Sequence, residues 1–314
     1  MSRFSRRQFS IAALSMGGLA ASGALTRTVA NLPSQQTIRD KRPILRQDGL
    51  AFGAYDPWGD FGGQSGVSTE ALFLPWEDVD LASLRAADSY AAERNRNLLI
   101  TVEPWSWDEN WRVSSDELRR RVLNGTYDGN MREISRVAGS LSRPVVIRWA
   151  QEMEDTTGRF SWSGWPPEDF QTAWRRMIGI VRQEAPNARI MWSPKGLPNL
   201  AAYFPGGDQL DLIGLSVFGL EQYDELSLGG ARAFVEALKP GYDLVQPFGK
   251  EVWVAELGYE GSDAYVSNWM NDATLRPAEM DLLTEVVYFN DREVHPWPLN
   301  LGQPDWRVVR QASL

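Results

Sequence analysis

The chain has no cysteine and only one histidine in 314 residues. Without cysteine there are no disulfides, no thiolate nucleophile and no anchoring through a lipidated cysteine. That suits export in a folded state and suits the cytosol equally. The single imidazole, His295, rules out a multi-histidine metal site and argues against a Ser-His-Asp triad. Flanked by Pro296 and Trp297, it reads as a structural loop residue. No glycine-rich phosphate or dinucleotide turn follows any early strand. There is no short-period repeat and no low-complexity tract. Bases are outnumbered by acids, 32 to 41, for a net charge of −9, which argues against nucleic acid or an anionic membrane as partner.

The N-terminus departs from this acidic body. Ser5-Arg6-Arg7-Gln8-Phe9-Ser10 precedes a modestly apolar run from Ile11 to Leu25 rich in Ala, Gly and Ser. Residues 1–30 therefore read as a twin-arginine export signal, with cleavage after Ala24 or Ala30, and the product as periplasmic or secreted. The run is too short and too weakly hydrophobic for a membrane span, so no transmembrane segment is expected in the mature chain. The alternative is a basic N-terminal arm. The signal carries four arginines and no acid, so its removal takes the net charge from −9 to −13. Residues 31–47 are polar and read as a linker and first surface turn.

From Leu50 onward, short apolar runs alternate with amphipathic stretches. Strands are expected near 50–55, 71–75, 98–102, 145–149, 189–193, 211–217, 252–256 and 284–289. Helical spacing of apolar residues predicts helices over 80–94, 131–141, 168–184 and 231–238. Eight strands alternating with helices over 48–314 predict a single-domain α/β protein, a (β/α)8 TIM barrel, here taken as a monomer. An open doubly wound sheet is the runner-up. The longest irregular stretches are 56–70, 103–128, 155–167 and 290–314. Loops at the C-terminal rim are where barrels build their sites.

Two strands end in carboxylates. In Arg143-Pro144-Val145-Val146-Ile147-Arg148-Trp149-Ala150-Gln151-Glu152, a β-branched run turns polar within one step. The segment from Lys250 to Gly261 does the same and delivers Glu256. Side chains alternate along a strand, so Ala150 and Arg148 are expected inward with Glu152, and Val252 and Val254 inward with Glu256. Two carboxyls about 5 Å apart suit a retaining glycosidase, and about 6.5–9.5 Å suits inversion. Arg148 is placed to keep one of them ionised. The bland reading is a pair of rim salt bridges. Glu251 and Glu260 compete with Glu256, but Glu251 starts its strand and Glu260 is expected four residues into the loop. Glu154 and Asp155 compete with Glu152, and Glu154 is a candidate contact for a sugar hydroxyl.

The segment from Ile147 to Asp155, followed by Arg159-Phe160-Ser161-Trp162-Ser163-Gly164, resembles the acid/base segment of glycoside hydrolase family 26. That family includes endo-β-mannanases of the large clan of retaining (β/α)8 glycosidases. Its pattern has Arg four residues before the acid/base Glu, His just before it, Met after it and then an aromatic loop; Arg148, Glu152, Met153 and Trp162 match. The segment Trp253 to Gly258 resembles the nucleophile strand of the same clan. The resemblance implies Glu152 as acid/base, Glu256 as nucleophile and double displacement with no cofactor and no metal. Gln151 stands in place of the usual His. Ser216 and Phe218 stand where Asp and Tyr are expected, which redirects the substrate preference more than the hydrolase class.

Aromatic residues supply the sugar-binding half of the expectation. Of fourteen tryptophans, Trp58, Trp76, Trp105, Trp107, Trp111, Trp162, Trp165 and Trp297 fall at or beyond strand ends, where pyranose C–H faces stack. Trp149, Trp174, Trp192 and Trp253 read as core. Tyr55, Asp56, Glu103, Asp108, Asn110, Lys195 and Asn290 are candidate hydroxyl partners. The substrate-binding set expected is Arg148, Gln151, Trp58, Trp105, Trp107, Trp162, Glu103, Phe218 and Trp297. The function expected is endo-acting hydrolysis of a β-mannan- or β-glucan-type polysaccharide, with a bacterial exopolysaccharide as a further option. Two alternatives stand beside it. One is a Mg²⁺-dependent barrel enzyme using Asp56, Glu103, Glu152 and Glu256. The other is a non-catalytic polysaccharide-binding barrel.

Overall fold

A computed structural model describes residues 38–310 except 78, 109 and 110. The expected export signal (residues 1–30), residues 31–37 of the expected linker and Asn110 lie outside the described residues. Eight parallel strands close into one barrel in chain order. They are β1 Ala51–Tyr55, β2 Val67–Pro75, β3 Asn97–Glu103, β4 Val145–Trp149, β5 Arg189–Trp192, β6 Leu212–Leu220, β7 Glu251–Glu260 and β8 Leu283–Phe289. All eight expected strands are present, and β2, β6 and β7 run longer than their apolar cores.

Two layers of apolar side chains explain why the strands read as unbroken hydrophobic runs. Val145, Ile147 and Trp149 of β4 face outward into the large core. There Trp149 meets Phe170 and Trp174 at ring distances of 6.0 and 6.2 Å. Ala71, Leu99, Val146, Met191, Leu212, Trp253, Ala255 and Val287 form a separate cluster filling the lumen, drawn from β2 through β8. The barrel is thus plugged below its mouth.

The helices are α1 Ala82–Glu93, α2 Ser115–Leu123, α3 Asp128–Gly139, α4 Pro167–Glu184, α5 Glu221–Leu228, α6 Phe234–Val245 and α7 Asp263–Asp272. Proline at the first helical position and Glu168 and Asp169 in the first turn start α4, whose stripe from Phe170 to Val181 is buried. Helices α2, α5 and α7 fall where no helix is expected from periodicity. The signal for α2 is polar: Ser114 caps it by accepting from the Glu117 amide at 3.2 Å. The β1–β2 and β5–β6 connections contain no α-helix among the described residues, only loops and a 3-10 turn Leu200–Tyr203.

Residues 38–47, expected as part of a linker, pack onto the barrel. The Lys41 ammonium is buried and donates to the Tyr259 and Asp305 carbonyls at 2.8 and 2.7 Å. Asp40 bridges Val309 in antiparallel fashion, so the segment before β1 pairs with the segment near residue 310. No helix among the described residues is long and apolar enough to cross a membrane.

Candidate active site at the barrel mouth

Above the apolar plug, the inward positions turn polar and aromatic. Tyr55, Phe73 and Phe289 meet one another there with centroids 4.9–5.6 Å apart, and Phe218 joins at 6.3 Å. Glu103 ends β3 on the inward side, on the strand paired with β2 of this aromatic arc.

Strand β4 delivers Arg148 inward by simple alternation from Val146, and its side chain is fully buried. Glu152 arrives differently from the expected alternation. The strand ends at Trp149, and Ala150 and Glu152 take left-handed backbone angles, φ 50° and 55°. Two non-glycine residues in that region cost about 1–3 kcal/mol each. The kink is pinned from several sides. The Glu152 amide donates to the Ser193 carbonyl at 2.8 Å, and the Trp162 indole donates to the Gln151 carbonyl at 2.8 Å. The Gly164 amide donates to the Met153 carbonyl at 2.8 Å. So the aromatic loop after β4 is a brace for the turn that carries Glu152.

Strand β7 corrects the second parity expectation. Val252 and Val254 lie in the outer core, whereas Trp253 and Ala255 fill the lumen. Strict alternation would turn Glu256 outward. A bulge prevents this: Leu215 pairs with Val254 but Ser216 pairs with Glu256, leaving Ala255 as the extra residue. A bulge re-aims the next side chain, and Glu256 faces inward. Its Oε1 lies 2.7 Å from Arg148 Nη1. The strand continues four residues beyond it, so Glu260 belongs to β7 rather than a loop, and its carboxylate accepts from the Asp305 amide.

Charge is tightly coupled in this space. Burial pushes the Glu256 carboxyl up to about 7; Arg148 pulls it down, and the Glu152 carboxylate is near enough to push it up further. Arg148 spends Nη1 on Glu256 and on Thr101 at 3.4 Å, while its Nε and Nη2 are buried with no partner. Glu152 is buried too, with Oε2 unpartnered. Burial raises the Glu103 carboxyl, opposed by bonds from Gln151 at 2.7 Å and Trp105 at 3.1 Å.

Two cavities open around these groups. A larger one, about 550 Å³, is lined by Glu152, Arg159, Lys195, Ser216, Phe218 and Trp297, with His295, Tyr223 and Arg232 further round the wall. A second, about 410 Å³, is walled by Trp105, Trp111, Arg112 and Phe160 and shares Gly158 and Arg159 with the first. His295, read from sequence as a structural loop residue, lines the larger cavity. Arg159, Arg112, Tyr223 and Arg232 were not singled out as sugar contacts. Only the position of Arg159 and Arg112 in long rim loops hinted at them.

The remaining expected contacts separate. Trp162 is fully buried, stacked on Phe160 at 4.6 Å and edge-on to Trp105 at 4.6 Å, so it presents no face to either cavity. Gln151 is buried beneath the mouth. Trp58 is exposed, bonded to Asp291 at 3.2 Å, and Trp107 packs edge-on to Trp111; both lie outside the two cavities. Asp56 and Asn290 bond each other at 2.6 Å, which turns both away from the sugar role. Glu154 does not reach the cavity. It is buried, accepts from the Gly196 and Leu197 amides, and is pushed up to about 7 by burial. Among the described residues, no three carboxylate or imidazole side chains converge as metal ligands would, so the Mg²⁺ alternative finds no ligand set there.

Against known proteins, the barrel matches solved structures closely enough to define its fold. A Cellulomonas fimi endo-beta-1,4-mannanase double mutant superposes with a TM-score of 0.58 at 15% identity, over 77% of this chain and 65% of that one. The family 26 glycoside hydrolase GH26C of a Muricauda species gives 0.56 at 14%, over 77% and 79%. The fold is the parallel (β/α)8 barrel that these structures share. In sequence, a beta-1,3-xylanase of a Vibrio species is 31% identical over 113 residues, 34% of this chain. That segment covers only 24% of the xylanase, so the chain matches about a quarter of its length. No family model matches.

Proposed function

We propose that this barrel is a retaining glycoside hydrolase acting within β-linked polysaccharides, with Glu152 as acid/base and Glu256 as nucleophile. The observation that carries the reading is the shared burial of the two carboxyls at the mouth, with only one of them ion-paired to Arg148. The ion pair suits Glu256 to attack the anomeric carbon, since the cation favours its anion. Glu152, on the cavity wall with an unpartnered oxygen, protonates the leaving glycosidic oxygen. After the glycosyl-enzyme ester forms at Glu256, Glu152 takes a proton from water as that water attacks the same carbon. Atoms balance without a cofactor: one water is consumed and one C–O bond is exchanged for two new hydroxyls.

The similarity to a beta-1,3-xylanase and to an endo-beta-1,4-mannanase supports testing β-1,3-xylan and β-1,4-mannan beside β-glucan as substrates. The two adjoining cavities suit binding on both sides of a cleaved linkage, which fits endo action. Export through the twin-arginine sequence at residues 1–30 completes the proposal.

The test is chemical trapping. A 2-deoxy-2-fluoro glycoside of the cleaved sugar should label Glu256, seen as a modified peptide by mass spectrometry. A label on Glu152, or turnover with inverted anomeric configuration, would sink the double-displacement assignment.

A further inference from the structure

The walls of the two cavities run against the charge of the chain. The protein is acidic, with a net charge of −9, yet among the described residues Glu152 is the only carboxylate lining either cavity, against Arg112, Arg159, Lys195 and Arg232. Three of these cations have acidic partners behind the wall: Arg159 with Glu293 at 2.9 Å, and Lys195 with Asp155 and Arg232 with Asp224, both at 2.7 Å.

Arg112 differs. Its guanidinium lies 3.8 Å over the Trp105 ring, with Trp107 and Trp111 at 5.4 and 5.9 Å, and its buried Nε finds no acceptor among the described residues. The same is true of Arg159 Nε across the same cavity. Glu103 acts on Arg112 through its charge, but its oxygens accept from Gln151 and Trp105. No carboxylate lines the second cavity among the described residues.

A buried guanidinium donor without an acceptor is costly unless a ligand supplies one. Arginine recognises carboxylate and sulfate oxygens in planar, paired geometry. The same cavity has Trp105, Trp111 and Phe160 as ring-sized apolar walls, the surface that stacks on a pyranose. Anion recognition and sugar stacking coincide in one pocket that shares the Arg159 wall with Glu152.

We propose that the second cavity is a subsite for an acidic sugar, a unit carrying a carboxylate or a sulfate ester, with Arg112 as its specificity-determining residue. This rests on the glycosidase reading for the placement of the cleaved bond, and it commits the substrate to an anionic glycan rather than a neutral one.

The test is binding, kept apart from turnover. Oligosaccharides of a glucuronoxylan, an alginate and a sulfated galactan are titrated into Glu152→Gln protein. Each is compared with its own neutral form, carboxyl-reduced or desulfated, which separates the carboxylate source from the sulfate source. The expected result is one acidic member binding about ten-fold tighter than its neutral form. That preference should shrink between about 0.05 and about 0.5 M salt. Arg112→Met should remove the preference while changing affinity for the neutral form less than about three-fold, and Arg112→Lys should retain part of it. The calorimetric baseline of Arg112→Lys guards against a folding defect in Arg112→Met. Equal binding of acidic and neutral forms, binding of neither, or equal weakening of both by Arg112→Met would overturn the proposal. If an acidic glycan binds with this pattern but wild-type protein cleaves no member of the panel, the glycosidase reading fails and the subsite stands.

Discussion

Arg148 Nη1 and Glu256 Oε1 lie 2.7 Å apart in a buried ion pair that joins β4 to β7 across the barrel. The contact exists because two unrelated backbone devices meet. Plain alternation turns Arg148 inward from Val146, and a bulge at Ala255 turns Glu256 inward against alternation. Burial drives the Glu256 carboxyl up and Arg148 opposes it. The pair therefore sets the pH at which the proposed nucleophile is ionised.

From this follows a pH prediction for Arg148→Met. With Glu256 raised to about 7, the reactive anion is lost as pH falls through 7, so kcat/KM should have its acid limb there. Removing the cation raises that carboxyl further, and the limb should move toward alkaline pH. A buried charge left unpaired also costs about 3–5 kcal/mol, so the melting temperature should fall. An acid limb unchanged in the variant would mean that Glu256 is not the titrating group.

Glu152→Gln and Glu256→Gln should each lower kcat by at least about 10²–10⁴-fold on the best polysaccharide of the panel. Circular dichroism should remain that of the wild type. The two losses differ with leaving group: an activated aryl glycoside needs no protonation, so it should restore the first step in Glu152→Gln but not in Glu256→Gln. Recovery in both variants would contradict the assigned roles.

Glu154 offers a stability test independent of catalysis. Its folded carboxyl is raised to about 7 by burial, above its ordinary value of 4.5. The folded form therefore holds a proton that the unfolded chain releases. The resulting stability is present below about pH 4.5 and is lost as pH rises through 7. Glu154→Gln keeps the oxygen that accepts from Gly196 and Leu197 and removes the charge. The unfolding free energy from urea titrations should fall between pH 5 and pH 8 in the wild type and fall less in Glu154→Gln, by on the order of 3 kcal/mol. Glu256 and Glu285, also raised to about 7, keep a residual slope. Parallel slopes in the two proteins would refute this.

Trp162 and Trp58 should separate cleanly. Trp162 is fully buried and Trp58 is 59% exposed. Trp162→Ala should cost about 3–5 kcal/mol, and Trp162→Phe, which loses the bond to the Gln151 carbonyl and part of the buried ring, less than that. Because that bond braces the turn at Glu152, Trp162→Phe should also lower kcat more than it raises KM. Trp58→Ala should leave the melting temperature within experimental error, as an exposed surface position does. A larger kcat effect in Trp58→Ala than in Trp162→Phe would show that the brace is unimportant.

The barrel was legible in the sequence because a doubly covered parallel strand must be apolar on both faces. Val145-Val146-Ile147 and Leu98 to Val102 announce themselves without knowledge of their neighbours. Helices with an apolar stripe, such as α4, were equally legible. Helix α2 was not, since its sequence is polar and its start is marked by a cap rather than by periodicity. Trp105 and Trp162 look alike as rim tryptophans, yet one walls a cavity and the other supports it. Nothing local distinguishes them.

By itself, the sequence determined the strand count and order, the positions of Arg148, Glu152 and Glu256 in or just beyond the C-terminal halves of apolar strands, and the absence of cysteine and second-imidazole chemistry. These are local properties of composition and period. Tertiary structure alone decided that Glu256 faces the lumen through a bulge and that Glu152 stands on a left-handed turn braced by Trp162. It also decided that Arg112 meets Trp105 beside Arg159, while Asp56 and Glu154 are turned to internal bonds. Each of these depends on partners far away in the chain, where register, backbone kinks and charge neighbours are set by packing rather than by the residues next door.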